Sequence, residues 1–214
     1  MQPWSFIWHD SLTPWRAQIL SEIEATRETI AALVPTPALS VELRHAPDWV
    51  IPEIGMCGFC TGAGTFKLSF DPANRQFALS LADGTLRRQV AHEVHHCLRN
   101  AGPGYGRSLG EALVSEGLAG QFVNRLYGTP PEPWEKAVAP RDAWRFLPDD
   151  RSLGLPMYDH NAWFYGTGGY PRWLGYTLGY LLAGRWRALE PDANGERLVN
   201  ATAAEVIAAA RSFS

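Results

Sequence analysis

The segment QVAHEVHHCLR, from Gln89 to Arg99, constrains this chain more than any other because it contains the pattern HExxH. On an α-helix, His92 and His96 lie one turn apart on the same face, so their imidazole nitrogens can bind a single divalent ion. Glu93 projects beside that ion, where a carboxylate can take a proton from an attacking water. The pattern therefore predicts a helix that carries two zinc ligands and a general base.

The residues around the motif predict a helix that begins at Asp83 or Thr85, either of which can cap it, and ends near Asn100, where AGPGYG breaks the chain. The side of this helix opposite the two histidines is apolar, which indicates that the histidines look away from the core and toward a cleft. The apolar side consists of Val90, Val94, Cys97 and Leu98. His95 is expected to lie beside the metal ligands or at the surface.

A zinc site needs a third protein ligand, and the next predicted helix, over residues 107–127, offers two glutamates. Glu116 lies on a face of apolar and small residues, where a carboxylate would be costly without a cation. Glu111 is the alternative, but it is five residues earlier and on another side of the helix, so the two cannot bind the same ion. We favour Glu116. The remaining alternative is that the motif holds ordinary polar side chains satisfied within the fold.

Length and composition predict one globular domain. A chain of 214 residues with 46% hydrophobic and 19% charged residues can bury a full core without disulfide bonds. Within it we expect an α/β part over residues 1–100, which contains the motif helix, and a mainly helical part over residues 101–214. Alternation of apolar and polar residues predicts strands at Leu39–His45 and Thr65–Phe70.

Three further segments show the helical spacing of apolar residues, at residues 11–34, 171–189 and 198–212. In the second of these, Gly175, Gly179 and Ala183 form a stripe of small residues. Side chains at this spacing share one face of a helix, so the stripe predicts close packing against a neighbouring element.

Charge and targeting signals narrow the classes of partner. The net charge is -3, the pI is about 6.1, and Lys and Arg are scattered, which disfavours nucleic acid as a partner. Three cysteines fit a reducing compartment, and the N-terminal residues lack the basic and apolar regions of a signal peptide. The longest apolar run, residues 174–184, is too short to span a bilayer. We therefore expect a cytoplasmic protein with no membrane partner.

The glycine-rich segment before the motif has two possible functions. Cys57 and Cys60 form a CxxC pattern, but the sequence holds no second CxxC and no βαβ pattern around it, so structural thiols are favoured over redox chemistry. Residues 62–69 are expected to form an edge strand that can pair with an extended peptide. An ordinary hairpin with glycines in its turn is the alternative.

The motifs also resemble a known class of enzymes. HExxH followed after nineteen residues by an E-x-x-A helix resembles the gluzincin zinc metallopeptidases. More specifically, HEVHHCLR, LVSEGLA and PRWLGYTLGY resemble a bacterial family of predicted zinc-dependent proteases, over about residues 55–180. The resemblance implies an α+β, zincin-like metalloprotease fold. Such a fold has a small mixed or antiparallel sheet packed on the HExxH helix and a mainly helical C-terminal half.

The resemblance also implies roles for individual residues. His92, His96 and Glu116 would bind Zn²⁺, and Glu93 would act as the general base in the hydrolysis of peptide bonds. One departure is Gly120, which stands where the thermolysin-like pattern has an acidic residue that orients a ligand histidine.

A residue that donates to the developing oxyanion is expected in the C-terminal part, as in other peptidases of this kind. Tyr176 is the first candidate, followed by His160 and Tyr165. The substrate would be a peptide or a protein. The alternative function is a non-catalytic binding module that zinc stabilises.

Overall fold

The computed structural model describes residues 3–212, and the chain divides into two compact units, Met1–Ala101 and Gly102–Ser214. Over the described residues the structure contains one small mixed sheet and is otherwise mostly helical, so the predicted α+β class is confirmed. Within the same residues, none of the helices combines the length and the apolar character that crossing a bilayer requires.

The first unit combines the sheet with three α-helices among its described residues. Its elements are β1 (Trp4–Trp8), α1 (Arg16–Ala31), β2 (Leu39–His45), β3 (Met56–Gly62), β4 (Thr65–Phe70), α2 (Phe77–Ala82) and α3 (Thr85–Asn100). The strand order is β1-β2-β4-β3. The two pairings β1/β2 and β2/β4 are parallel, and β3 and β4 form an antiparallel hairpin.

This order corrects the expected edge strand. Thr65–Phe70 is paired on both sides, so the segment over residues 62–69 is interior rather than exposed for pairing. The physical reason is the apolar character of this strand, since Phe66, Leu68 and Phe70 are all buried. The glycine-rich strand Met56–Gly62, which has less side chain to bury, takes the edge instead.

The predicted motif helix is confirmed as α3, which packs on β3 and on α1. Asp83 rather than Thr85 supplies the polar group at its start, because the Asp83 carboxylate accepts a hydrogen bond of 2.9 Å from the Thr85 backbone N–H. Gly84, with a φ of 82°, makes the left-handed turn between them.

Near the N-terminus, one element was not predicted and another differs from its prediction. Trp4–Trp8 forms a strand that pairs with β2, although its sequence shows no clear alternation. The helix expected over residues 11–34 starts as a 3-10 segment, Asp10–Trp15, and becomes α-helical only at Arg16. Pro14 lies in that 3-10 segment, and its missing N–H fits a short turn better than the interior of an α-helix.

The second unit is built from helices in its described residues. They are α4 (Leu109–Tyr127), α5 (Pro140–Ala143), α6 (Asp150–Leu153), α7 (Leu174–Leu189), α8 (Gly195–Asn200) and α9 (Ala203–Arg211). A π-helical turn, Asn161–Tyr165, precedes α7. The segment predicted as one helix over residues 198–212 is divided, because Thr202 starts α9 in a capping box with Glu205.

Two glycines allow α4 and α7 to meet at backbone distance. A Cβ atom at Gly117 would clash with the Gly179 carbonyl oxygen, and one at Gly179 would clash with the Leu113 carbonyl oxygen. The predicted small-residue stripe is therefore confirmed at Gly179. Gly175 belongs to a different contact, since a Cβ there would lie 2.7 Å from the Phe164 ring.

Replacement of Gly117 by alanine should lower the free energy of unfolding by about 3 kcal/mol, because the added methyl meets rigid backbone. Gly184→Ala in α7 is the matched control. A Cβ there would meet only the end of the Gln121 side chain, at 3.2 Å, and alanine is favoured over glycine in helices by about 1 kcal/mol. Urea unfolding of both variants checks the prediction, which fails if Gly117→Ala is as well tolerated as Gly184→Ala.

Candidate metal centre

The two motif histidines face each other on α3. Their Nε2 atoms are 3.0 Å apart, and their ring centroids are 4.7 Å apart with the planes at 80°. His96 is buried and His92 is half-buried. Without an ion, this contact is a hydrogen bond in which one Nε2 carries the proton and the other accepts it. With both Nε2 atoms unprotonated, their two lone pairs can bind one metal ion. The geometry therefore fits a pair of metal ligands.

The structure places Glu93 against the edge strand β3. Glu93 is buried, and a Cβ atom at Gly58 would clash with its side chain, with the carboxylate oxygen Oε1 at 2.6 Å. The Gly58 N–H donates to Gln89 Oε1 at 3.2 Å, which ties the strand to the helix at the same level. Gly58 therefore creates the space that the Glu93 side chain occupies. This specific role could not be read from the glycine-rich composition of the segment.

His95 is fully buried, so of its two expected places, beside the metal ligands or at the surface, the second is wrong. Its ring centroid lies 6.1 Å from that of His96, in an edge-on arrangement. The motif helix is covered on more sides than its apolar residues alone predicted, because β3 and α1 both pack on it.

The cysteines of this unit do not pair as the CxxC pattern suggests. Cys60 Sγ lies 3.5 Å from Cys97 Sγ on α3, and Cys97 is buried as expected. The hydrogen bond with Cys97, partly opposed by burial, lowers the pKa of the Cys60 thiol to about 6. The same hydrogen bond, together with burial, raises the pKa of the Cys97 thiol far above its ordinary value.

In the second unit, Glu116 lies in α4 at 9% exposure and accepts a hydrogen bond of 2.8 Å from the Tyr105 hydroxyl to its Oε1. The loop that carries Tyr105 is attached to α4, because Ser115 Oγ donates to the Tyr105 carbonyl at 2.8 Å. Burial, followed by the charge of Glu116, raises the pKa of the Tyr105 phenol, so that it remains a donor at neutral pH. Sequence reasoning missed Tyr105 because AGPGYG carried only a chain-break signal.

Glu111, the alternative ligand, has a structural role in the same helix. Its carboxylate accepts from the backbone N–H groups of Arg107 and Ser108, at 2.8 and 2.9 Å, in a capping box. These hydrogen bonds lower the pKa of Glu111. The carboxylate is therefore already committed to the start of α4.

The three aromatic candidates for the oxyanion donor lie in one cluster. His160 is stacked on Phe164 with a centroid distance of 4.4 Å, and the Tyr176 ring contacts the same Phe164 edge-on at 5.0 Å. Tyr165 contacts His160 edge-on and is 55% exposed. Burial lowers the pKa of His160 although the charge of Glu116 opposes this shift, so the ring is neutral at neutral pH.

Tyr158 joins this cluster and was not singled out by the sequence. Its hydroxyl lies 3.2 Å from His160 Nδ1. Burial, with a contribution from the charge of Glu116, raises the pKa of Tyr158 to about 12. The Glu116 carboxylate thus contacts the neutral Tyr105 phenol directly, and its charge also acts on the Tyr158 phenol and the His160 imidazole.

A second carboxylate occupies the space beside Gly120. A Cβ atom at Gly120 would clash with Glu135 Oε1, and Glu135 is buried. The Glu135 Oε2 atom also accepts from the Glu132 backbone N–H at 2.7 Å. An acidic group therefore stands next to the position where the thermolysin-like pattern has its acidic residue, although it comes from a different part of the chain.

The paired histidines and the neighbouring glutamate on one buried helix define a protein of the HExxH class. The family model described as predicted Zn-dependent protease (DUF2268) matches residues 23–208, and the chain belongs to this family. No curated protein and no solved structure matches the chain.

The close approach of β3 to α3 can be tested with a double-mutant cycle. Gly58→Ala should lower the free energy of unfolding by about 1–3 kcal/mol in the wild-type background, because the methyl displaces the Glu93 side chain. In the Glu93→Ala background the same change should cost little, since the clashing atoms are gone. Urea unfolding in the presence of a chelator measures both.

Gly64→Ala, in the turn between β3 and β4, is the control, because a Cβ atom there would meet nothing within 4 Å. An equal cost for Gly58→Ala in both backgrounds would contradict the described contact.

Proposed function

We propose that this protein is a zinc-dependent peptidase of the gluzincin type with a zincin-like fold. The observation that carries the proposal is the pair of Nε2 atoms, 3.0 Å apart on α3, in a chain that belongs to a family of predicted Zn-dependent proteases. His92, His96 and Glu116 are the proposed ligands. Their donor set, two imidazole nitrogens and one carboxylate oxygen, is one that could hold a metal ion, and it is a set that catalytic zinc uses.

The reaction we propose is the hydrolysis of a peptide bond. When bound, zinc supplies the Lewis acid that polarises water and the substrate carbonyl. The Glu93 carboxylate takes a proton from the attacking water and delivers it to the leaving amine nitrogen. Its burial against Gly58 supports this role, because the carboxylate is held in one place and is shielded from bulk water.

The residue that stabilises the oxyanion is proposed to come from the aromatic cluster of the second unit. Tyr176 remains the first candidate, with His160 and Tyr165 after it. A neutral imidazole supports the choice of His160 as a donor, since it can give a hydrogen bond without carrying charge. Tyr165 is the last of the three candidates, because it is 55% exposed whereas the other two are half-buried.

The substrate is proposed to be a peptide that pairs with an edge strand. We assign this role to β3 instead of residues 62–69, because among the described strands β3 pairs with β4 alone. Backbone groups along such an edge bind an extended chain with little dependence on its side chains. We also propose that the two units work together as a single domain, because each carries residues of the proposed catalytic machinery.

Zinc content tests the proposal directly. Purified protein should contain close to one zinc per chain, and His96→Ala or Glu116→Ala should lose it because one ligand is gone. Glu93→Gln should keep the zinc and lose hydrolysis of a quenched peptide library by about 100-fold or more. Elemental analysis and fluorescence rates are the measurements.

Glu111→Gln is the matched control, since its carboxylate caps α4, and it should retain zinc. Full zinc content in both His96→Ala and Glu116→Ala would exclude the proposed ligands. A zinc protein in which wild type and Glu93→Gln are equally inactive would favour a binding module over a peptidase.

The groups around the proposed ligands make a further prediction. Tyr105 holds Glu116 by a hydrogen bond, so Tyr105→Phe should weaken zinc binding by about 10–100-fold. Competition with a chromogenic chelator measures the affinity. Tyr170→Phe, in a tyrosine stacked on Trp163, should leave the affinity unchanged. An affinity of Tyr105→Phe equal to that of the wild type would refute the role of Tyr105.

A further inference from the structure

A second reactive site lies between the edge strand and the motif helix. The thiols of Cys60 on β3 and Cys97 on α3 are 3.5 Å apart, sulfur to sulfur, although 37 positions separate them in the chain. Both are reduced cysteines. Two thiols in contact can be joined by oxidation without any unfolding of the elements that carry them.

The alternation of side chains along β3 determines which cysteines can meet. Gly58 and Cys60 are two residues apart and lie on the face of β3 that meets α3, next to Glu93 and Cys97 respectively. Cys57 and Phe59 lie on the opposite face, where Phe59 is 65% exposed. The two cysteines of the CxxC pattern therefore point to opposite sides of the strand and cannot pair there.

The two cysteines of the pair differ in their access to solvent and so in the roles they can take in an oxidation. Cys60 is half-buried and can be reached from solvent, whereas Cys97 is buried behind it. Asn100 Nδ2 donates to Cys60 Sγ at 3.4 Å and to the His96 carbonyl at 2.9 Å, which fixes a donor beside the accessible sulfur. Cys97 Sγ also contacts the Thr65 carbonyl oxygen at 3.6 Å.

The strand offers room for the two sulfurs to approach. A disulfide needs them at about 2 Å, so the contact must shorten. β3 is an edge strand, and its register with β4 is irregular between Cys60 and Gly62. Cys60 therefore lies next to an interruption of the backbone ladder.

We propose that Cys60 and Cys97 form an oxidisable thiol pair that a hydroperoxide converts to a disulfide. The Cys60 sulfur attacks the peroxide O–O bond and becomes a sulfenic acid, and the second oxygen leaves as water or as an alcohol. The Cys97 sulfur then attacks the Cys60 sulfur, the S–OH bond breaks and its oxygen leaves as water. Two thiols are oxidised, one peroxide is reduced, and the two thiol protons are carried away in the products.

This site is independent of the proposed peptidase activity, because none of its groups is a proposed zinc ligand or general base. It is also distinct from the CxxC redox pair that the sequence offered. Cys57, which completes that pattern, serves as the internal control.

The test is to treat the full-length, zinc-saturated protein with a small excess of hydrogen peroxide and to follow its thiols. Free thiols in the denatured protein should fall from three to one. Peptide mass spectrometry without reduction should show a cross-link between Cys60 and Cys97 within one chain, and dithiothreitol should restore all three thiols. Cys57→Ser should still form the cross-link.

Cys60→Ser and Cys97→Ser should each abolish the cross-link, and Cys60→Ser suffices if the buried replacement at Cys97 does not fold. A cross-link between Cys57 and Cys60 would overturn the proposal. So would three unchanged thiols, or oxidation of Cys60 to a sulfinic acid while Cys97 remains a free thiol.

Discussion

The approach of β3 to α3 at Gly58 is the constraint on which the first unit depends. Because position 58 has no side chain, the strand lies against Glu93, and the Gln89 amide closes the contact from the helix side. The same approach brings Cys60 onto Cys97. One glycine thus aligns a buried carboxylate, the backbone of an edge strand and a pair of thiols, and any larger residue there would disturb all three.

The second unit likewise depends on positions without a side chain. Gly117 and Gly179 let α4 and α7 meet at backbone distance, so that the centre of this unit is filled with little side-chain volume. Glu116 lies in the same helix, where burying a carboxylate is unfavourable unless its charge is compensated. The Tyr105 hydroxyl supplies one hydrogen bond, and the proposed zinc would supply the remaining compensation.

Local patterns predicted the helices well, because hydrophobic spacing and capping residues act within a few positions of the chain. The motif helix and the small-residue stripe at Gly179 followed from such signals. The strand order did not, since pairing joins residues far apart in sequence, and the edge strand was assigned to residues 62–69 instead of to β3. The burial of His95 was missed for a similar reason, because neighbouring elements rather than the helix itself cover it.

Around the candidate site, residue type was informative where a motif or a helix face fixed the position, as it did for the histidines and for Glu116. Tyr105 reaches Glu116 from a loop, and Glu135 reaches the space beside Gly120 from a short 3-10 turn. Neither segment shows a regular period in the sequence. The sequence already disfavoured a redox pair at the CxxC pattern, and the alternation of side chains along β3 gives the physical reason, since it directs the two thiols to opposite faces of the strand.

The most direct test of the central claim is X-ray absorption spectroscopy at the zinc edge of the purified protein. A site made by His92, His96 and Glu116 predicts a first shell of nitrogen and oxygen at about 2.0–2.2 Å, with the outer-shell scattering of two imidazole rings and no sulfur. A sulfur shell at about 2.3 Å would place the metal on the thiols. That result, or the absence of zinc, would contradict the account.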